Sequence, residues 1–159
     1  MIRHCVEINR RPEDVFAYLD DLDRYVEWQE NLISTRVETE GPTRVGTRGV
    51  DRRRVPGGPR DIPFEVTEHD PPRKLSFRGT AGPVRPVAVL AVEPVGDGSR
   101  SRMSLELDLH GHGFGKLVAP FARRGAAKEV QQDHARLKER LEAGGNRNRA
   151  GGSALDRIV

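Results

Sequence analysis

Met103-Ser104-Leu105-Glu106-Leu107-Asp108-Leu109-His110 alternates apolar and polar residues without a break. A period of two puts Met103, Leu105, Leu107 and Leu109 on one face of a β-strand, and that face must be covered. Gly111, Gly113 and Gly115 follow and read as a flexible joint. Beyond them Ala127, Val130, His134, Leu137 and Leu141 recur by threes and fours. They form a single apolar stripe on a helix predicted over Lys116 to Ala143. Leu117, Val118 and Phe121 extend the stripe toward its N-terminal end, and Gly144-Gly145 reads as its C-terminal cap. A strand with one apolar face, leading into one helix about 40 Å long, requires the two to pack on each other.

Outward from this junction the chain is mostly strands and turns. Val84 to Val95 is a strand closed by the hairpin signal Gly96-Asp97-Gly98. Leu75 and Phe77 mark another, and Ile62, Phe64 and Val66 alternate in a third. Val45 to Val55 and Ile33 to Thr39 complete the run, bounded by Pro56-Gly57-Gly58-Pro59 and Gly41-Pro42. At the N-terminus Ile2, His4, Val6 and Ile8 alternate as a first strand. Pro12 then opens a helix with Glu13 and Asp14 in its first turn, followed by a short helix carrying Tyr25, Val26 and Trp28. The order predicts an α+β domain: a curved seven-stranded antiparallel sheet wrapped around a long C-terminal helix, with two short helices after the first strand. Residues 1–143 form this domain, and 144–159, which lack periodicity, are expected to be a disordered tail.

Composition bounds the function classes. Of 159 residues 35% are hydrophobic and 32% charged, which is enough apolar material for one core. The net charge of +3 is spread along the chain, so a dedicated nucleic-acid face is not expected. The single cysteine, Cys5, excludes an internal disulfide. The longest aliphatic run, Val87 to Val92, falls far short of the ~18 residues that span a bilayer, and stable membrane insertion is not expected. Met1 to Cys5 lacks a signal-peptide apolar region, and a cytoplasmic location follows as the expectation. The preference for arginine over lysine fits a GC-rich bacterial genome. Oligomeric state is not written in these features.

Several segments resemble a known family. Pro12-Glu13-Asp14-Val15-Phe16 with Asp21, Tyr25 and Trp28, the strand Val45-Gly46-Thr47-Arg48, and Phe64 to Leu75 with the double proline Pro71-Pro72 occur in family order. Together they are similar to the START-like (SRPBCC) superfamily, in its polyketide cyclase/dehydrase branch, over residues 2 to 142. The resemblance implies the helix-grip fold. It does not fix one activity, because the superfamily includes lipid carriers, aromatic polyketide cyclases, quinone-binding proteins and hormone receptors.

Candidate site residues follow from the stripe and the strands. Trp28, Phe64, Phe77, Leu107, Phe121, Val130 and His134 are expected to line a cavity between helix and sheet, with Tyr25 beside Trp28 at one end. His134, a titratable group on an apolar stripe, is the candidate acid/base. Arg48 or Arg78 are candidates to stabilise an enolate. His4 reads as a strand-end residue near solvent, and Arg52, Arg53 and Arg54 as a solvated strand end. Asp108, His110 and His112 share the face opposite the leucines and should point to solvent. The sequence calls for no metal and no cofactor. Three functions stay open: binding of a small hydrophobic or aromatic molecule such as a lipid, polyketide or quinone-like compound; polyketide cyclisation or dehydration by general acid/base catalysis; and an interaction or chaperone module without catalysis.

Overall fold

The computed structural model describes residues 1–152, with side chains as far as Gly144. The chain runs β1 (Ile2–Ile8), α1 (Pro12–Asp20), a 3-10 helix (Leu22–Glu27), β2 (Leu32–Val37), β3 (Arg48–Val55), β4 (Gly58–Asp70), β5 (Lys74–Gly79), β6 (Val84–Val95), β7 (Arg100–Gly111) and α2 (Gly115–Gly152). The strands form one sheet in the order β1-β7-β6-β5-β4-β3-β2, antiparallel throughout. This is the α+β helix-grip architecture expected from the sequence. β1 and β2 are the two edges, so residues 9–31 must carry the chain across the sheet from one edge to the other.

Pairing fixes which side chains share the face toward α2. Ile2, His4 and Val6 lie opposite Leu107, Leu105 and Met103. Those three pair with Ala88, Leu90 and Val92, and Leu90 and Ala88 with Leu75 and Phe77. The same face continues through Phe64 and Val66 of β4 to Gly49 of β3. Gly49 is required there. A Cβ would stand 2.6 Å from Cζ of Phe64 and 2.7 Å from the Arg36 carbonyl oxygen.

α2 lies along β1 and β7, α1 packs on β6 and β7, and the 3-10 helix packs on β2. The core sits beneath the C-terminal part of α2, where Ile8, Val15, Leu19, Leu75, Val92, Met103, Leu137 and Leu141 are buried. Each such side chain contributes about 1.5–3 kcal/mol relative to exposure. Ser101, also fully buried, is satisfied by donating its hydroxyl to the Arg10 carbonyl at 2.7 Å.

Two expectations about α2 need correction. Gly144-Gly145 do not cap it, because the helix continues through them to Gly152. Glycine weakens a helix by about 1 kcal/mol without forbidding it. Of the expected tail, residues 153–159 lie outside the described residues. The apolar stripe also stops short of the N-terminal end. Leu117 is 77% exposed, Phe121 69% and Val118 47%, and Ala127 is exposed as well. At this end the inward side of the helix is carried by Gly115 and Ala119, both buried, with Arg123 donating to the Leu109 carbonyl, and at about 100° per residue Phe121 falls opposite Val130.

The expected flexible joint is instead a packed one. His112 N–H donates to the Pro83 carbonyl at 2.7 Å, and Gly115 N–H to the His112 carbonyl at 3.0 Å. At Gly115 any Cβ would collide with the Pro83 backbone, and at Gly111 it would come within 2.6 Å of the Lys116 backbone.

Candidate functional site

Six rings form a chain across the helix-facing side of the sheet. The His4 centroid is 4.8 Å from that of His134, and His134 is 6.2 Å from Trp28. Trp28 lies 5.1 Å from Tyr25, Tyr25 6.1 Å from Phe77, and Phe77 6.0 Å from Phe64. These tilted and edge-on arrangements are the favoured ones for aromatic pairs. The rings come from β1, α2, the loop after the 3-10 helix, the 3-10 helix itself, β5 and β4 in turn.

The loop that carries Trp28 is fastened to α2. Arg136 Nε donates to the Trp28 carbonyl at 3.0 Å, and Asp133 accepts the Glu30 backbone N–H at 3.2 Å while also pairing with Arg136. Burial pushes the Asp133 carboxyl up, and these two donors oppose that rise. Tyr25 is anchored as well: its hydroxyl donates to the Leu19 carbonyl at 2.8 Å. Burial first, then the charges of Asp51 and Asp20, hold that phenol well above its usual range. The phenol therefore stays protonated at neutral pH. Trp28 is 3% exposed, and its indole N–H has no partner among the described residues.

His134 Nδ1 and His4 Nδ1 are 2.7 Å apart, so one carries the hydrogen and the other accepts it. His134 is 1% exposed, and its pKa is lowered to about 4 by burial and then by the neighbouring His4. His134 is therefore neutral at pH 7, with one hydrogen between the two Nδ1 atoms. His4 is not a solvated strand end, as the sequence suggested. Its partner lies 130 positions away.

Exposure divides the helix-facing side in two. Ile8, Leu75, Leu90, Val92 and Met103 are buried. Phe77, Leu105, Leu107 and Leu109, on the same face toward the N-terminal end of α2, are only half-buried. Val130 and Phe64, at 8% and 9%, mark the transition. The structure thus brings Trp28, Phe64, Phe77 and His134 into the ring chain. Leu107 and Val130 lie on its open side. Phe121 is corrected: it faces solvent on the outer side of α2, with Arg124 over its ring at 5.7 Å.

The arginines sort by strand parity. Arg48 and Arg78 both pair with Glu65 on the outer face, the Arg78 contact being 2.8 Å, which removes them as enolate stabilisers inside. Arg52 pairs outward with Asp61. Arg53, between outward neighbours, turns to the helix-facing side and meets Asp51 and Gln29, so it is not part of a solvated strand end. His110 stands 3.5 Å from Asp108, and no three His, Cys, Asp or Glu side chains among the described residues are placed to share a metal ion.

Two surface hollows lie elsewhere. One, of about 460 Å³, is bounded by Asp20, Asp21, Asp23, Thr39 and Thr43, and one of about 190 Å³ by Val26, Trp28, Glu30 and Arg136. Neither is the space expected between helix and sheet. No helix among the described residues is long and apolar enough to cross a membrane.

Comparison with known proteins agrees with this geometry. No curated protein matches the chain. TTHA0849 from Thermus thermophilus superposes with a TM-score of 0.70 at 23% identity, covering 90% of this chain and 97% of that one. A START superfamily protein from Mycobacterium smegmatis gives 0.72 at 13%, covering 89% and 97%. The ZhuI aromatase/cyclase from Streptomyces sp. R1128 gives 0.72 at 15%, covering 89% and 92%. At these identities the likeness is one of fold. The family model described as polyketide cyclase / dehydrase and lipid transport matches residues 2–142. The chain therefore belongs to the polyketide cyclase / dehydrase and lipid transport family.

Proposed function

We propose that this protein binds a small hydrophobic or ring-bearing molecule in a trough between the N-terminal half of α2 and the sheet. The observation that carries the reading is the half-burial of Phe77, Leu105, Leu107 and Leu109 on a face whose other end is fully packed. Apolar side chains left partly wet beside a chain of aromatic rings gain by burial against a guest, at about 25 cal/mol per Å². Membership of a family that includes lipid transport supports the same class of guest.

Native mass spectrometry after incubation with a lipid and metabolite extract tests this. Stoichiometric adducts are expected on the wild type and not on Leu107→Glu, which places a charge on the trough wall. Absence of any adduct on the wild type removes the reading.

A second reading, proton-transfer catalysis of cyclisation or dehydration, is favoured by the His4–His134 pair alone. Its geometry suits a relay, with half-buried His4 as the outer member. The magnitude opposes it: a base with a pKa of about 4 accepts a proton weakly at neutral pH. Binding therefore ranks first. Unchanged turnover of a poly-β-ketone substrate by His134→Ala would remove the catalytic reading.

A further inference from the structure

Phe114, Leu117, Val118 and Phe121 recur at i, i+3, i+4 and i+7, a complete apolar stripe, and all four are exposed. The core stripe through Val130, His134, Leu137 and Leu141 lies half a turn round the same helix. α2 thus carries two apolar stripes, and only one of them meets the sheet. The outer stripe cannot roll inward. Gly115 and Ala119 already occupy the inward side, Gly115 has no room for a Cβ against Pro83, and Arg123 Nη2 holds the Leu109 carbonyl at 2.6 Å.

Charge is sorted toward the same place. Residues 109–128 contain Lys116, Arg123, Arg124 and Lys128 and no aspartate or glutamate. Arg124 lies over the Phe121 ring, and Lys128 stands one turn beyond it on the same side of the helix. The β3–β4 and β5–β6 turns lie at the same end of the antiparallel sheet as the β7–α2 joint. Arg54 and Arg60 flank the first of these turns, and Arg85 follows the second. Among the described residues Arg54, Arg60, Arg85, Lys116, Arg124 and Lys128 have no carboxylate partner. The carboxylates at this end are already engaged, Asp61 by Arg52 and Asp108 by Arg123. Away from it, Arg44 alone of the described lysines and arginines lacks an ion pair. Uncompensated positive charge therefore gathers where apolar side chains are bare.

We propose that the first turns of α2 are a peripheral docking surface for an anionic lipid bilayer. The stripe from Phe114 to Phe121 enters the headgroup layer, and Lys116, Arg124, Lys128 and the turn arginines meet lipid phosphates. An apolar stripe flanked by cations is what a helix lying in a membrane interface presents. The contact is with the surface alone, since α2 is not apolar enough to span. The stripe is also a convex ridge, which a deformable layer accommodates without a matching groove. Charge argues against a second copy as the occupant. A two-fold contact through the ridge would set Arg124 and Lys128 near their own counterparts, with no acidic residue in 109–128 to pair them. The docking goes beyond guest binding and holds whether or not the trough is filled.

Flotation of the full chain with phosphatidylcholine vesicles, with and without phosphatidylglycerol, tests this. The protein is expected to float with the anionic vesicles, to stay behind with the neutral ones, and to be released as salt is raised. Leu117→Ser/Phe121→Ser should bind the anionic vesicles at least about tenfold more weakly. Arg124→Gln/Lys128→Gln should lose about tenfold. All four positions are exposed, so both variants should keep the wild-type thermal midpoint within about 2 °C. Arg73→Gln/Arg100→Gln removes the same charge at the opposite end of the sheet and should lose less than about twofold. No flotation of the wild type, or equal flotation with neutral vesicles, overturns the proposal. So do undiminished binding by the first two variants and an equal loss in the third. Sedimentation velocity without lipid should show a monomer. A dimer that Leu117→Ser/Phe121→Ser dissolves would give the ridge to a second copy and overturn lipid docking.

Discussion

Leu137 and Phe121 lie on the same helix and differ as much as two apolar residues can: one is 0% exposed, the other 69%. The contrast extends to whole regions. Around Leu137, the first strand, α1 and the C-terminal part of α2 close on each other, and residues from β1, β5, β6 and β7 are fully packed. Around Phe121, Phe114, Leu117 and Val118 are exposed, and the leucines of β7 below are half wet. One helix therefore serves two purposes. Its C-terminal half closes a core, and its N-terminal half stands over a surface left incompletely covered. Stability should reside at the first end and binding at the second.

The sharpest way to break that division is to truncate both residues. Leu137→Ala should cost about 2–5 kcal/mol in urea denaturation, as core deletions do. Phe121→Ala should stay within about 0.5 kcal/mol. Equal costs would mean that Phe121 is covered rather than on the outer side of α2.

His134 lies at the seam, and acid probes it. Its pKa is about 4 in the fold against an ordinary 6.5, so between those values the unfolded chain binds a proton that the fold refuses. Stability should therefore fall as pH drops through that window, by at most about 3.4 kcal/mol, and be indifferent to this group above it. Denaturation midpoints of wild type and His134→Leu at about pH 7 and pH 5 check this. The variant should lose less on acidification, and an identical loss would place the histidine in a wetter setting than the seam. The smallest effect sharpens the comparison from outside. Arg78→Ala, on the outer face, should leave adduct formation in native mass spectrometry unaltered, whereas Leu107→Glu should abolish it.

Much of this fold could be read in advance because its signals are local. The alternation through Leu105, Leu107 and Leu109 and the spacing of Val130, His134, Leu137 and Leu141 each fit in one window of sequence, and both survive in the structure. The His4–His134 contact could not be read so. It depends on β1 lying beside β7, a pairing across about a hundred residues that no window contains. Phe121 was misplaced because the stripe was extended past Val130 without its phase: nine residues earlier is half a turn round the helix, and the inward side there belongs to Ala119. The inward turn of Arg53 was legible and missed. In a strand, the middle of three arginines must face opposite to its neighbours, and only the expectation of a solvated end hid it. Gly144-Gly145 looked like a stop, yet glycine stops a helix only where the backbone turns left-handed, and here it does not.

The crowding of Gly115 against Pro83 has a mechanical consequence. With no room for even a methyl group between them, the base of α2 and the turn at residues 80–83 move as one piece. If the proposed trough takes a guest, a broader one requires both lips to swing together, like jaws on a common pivot. The stretch Thr80-Ala81-Gly82-Pro83, whose Thr80 N–H donates to the Pro63 carbonyl beside Phe64, would then be the calliper.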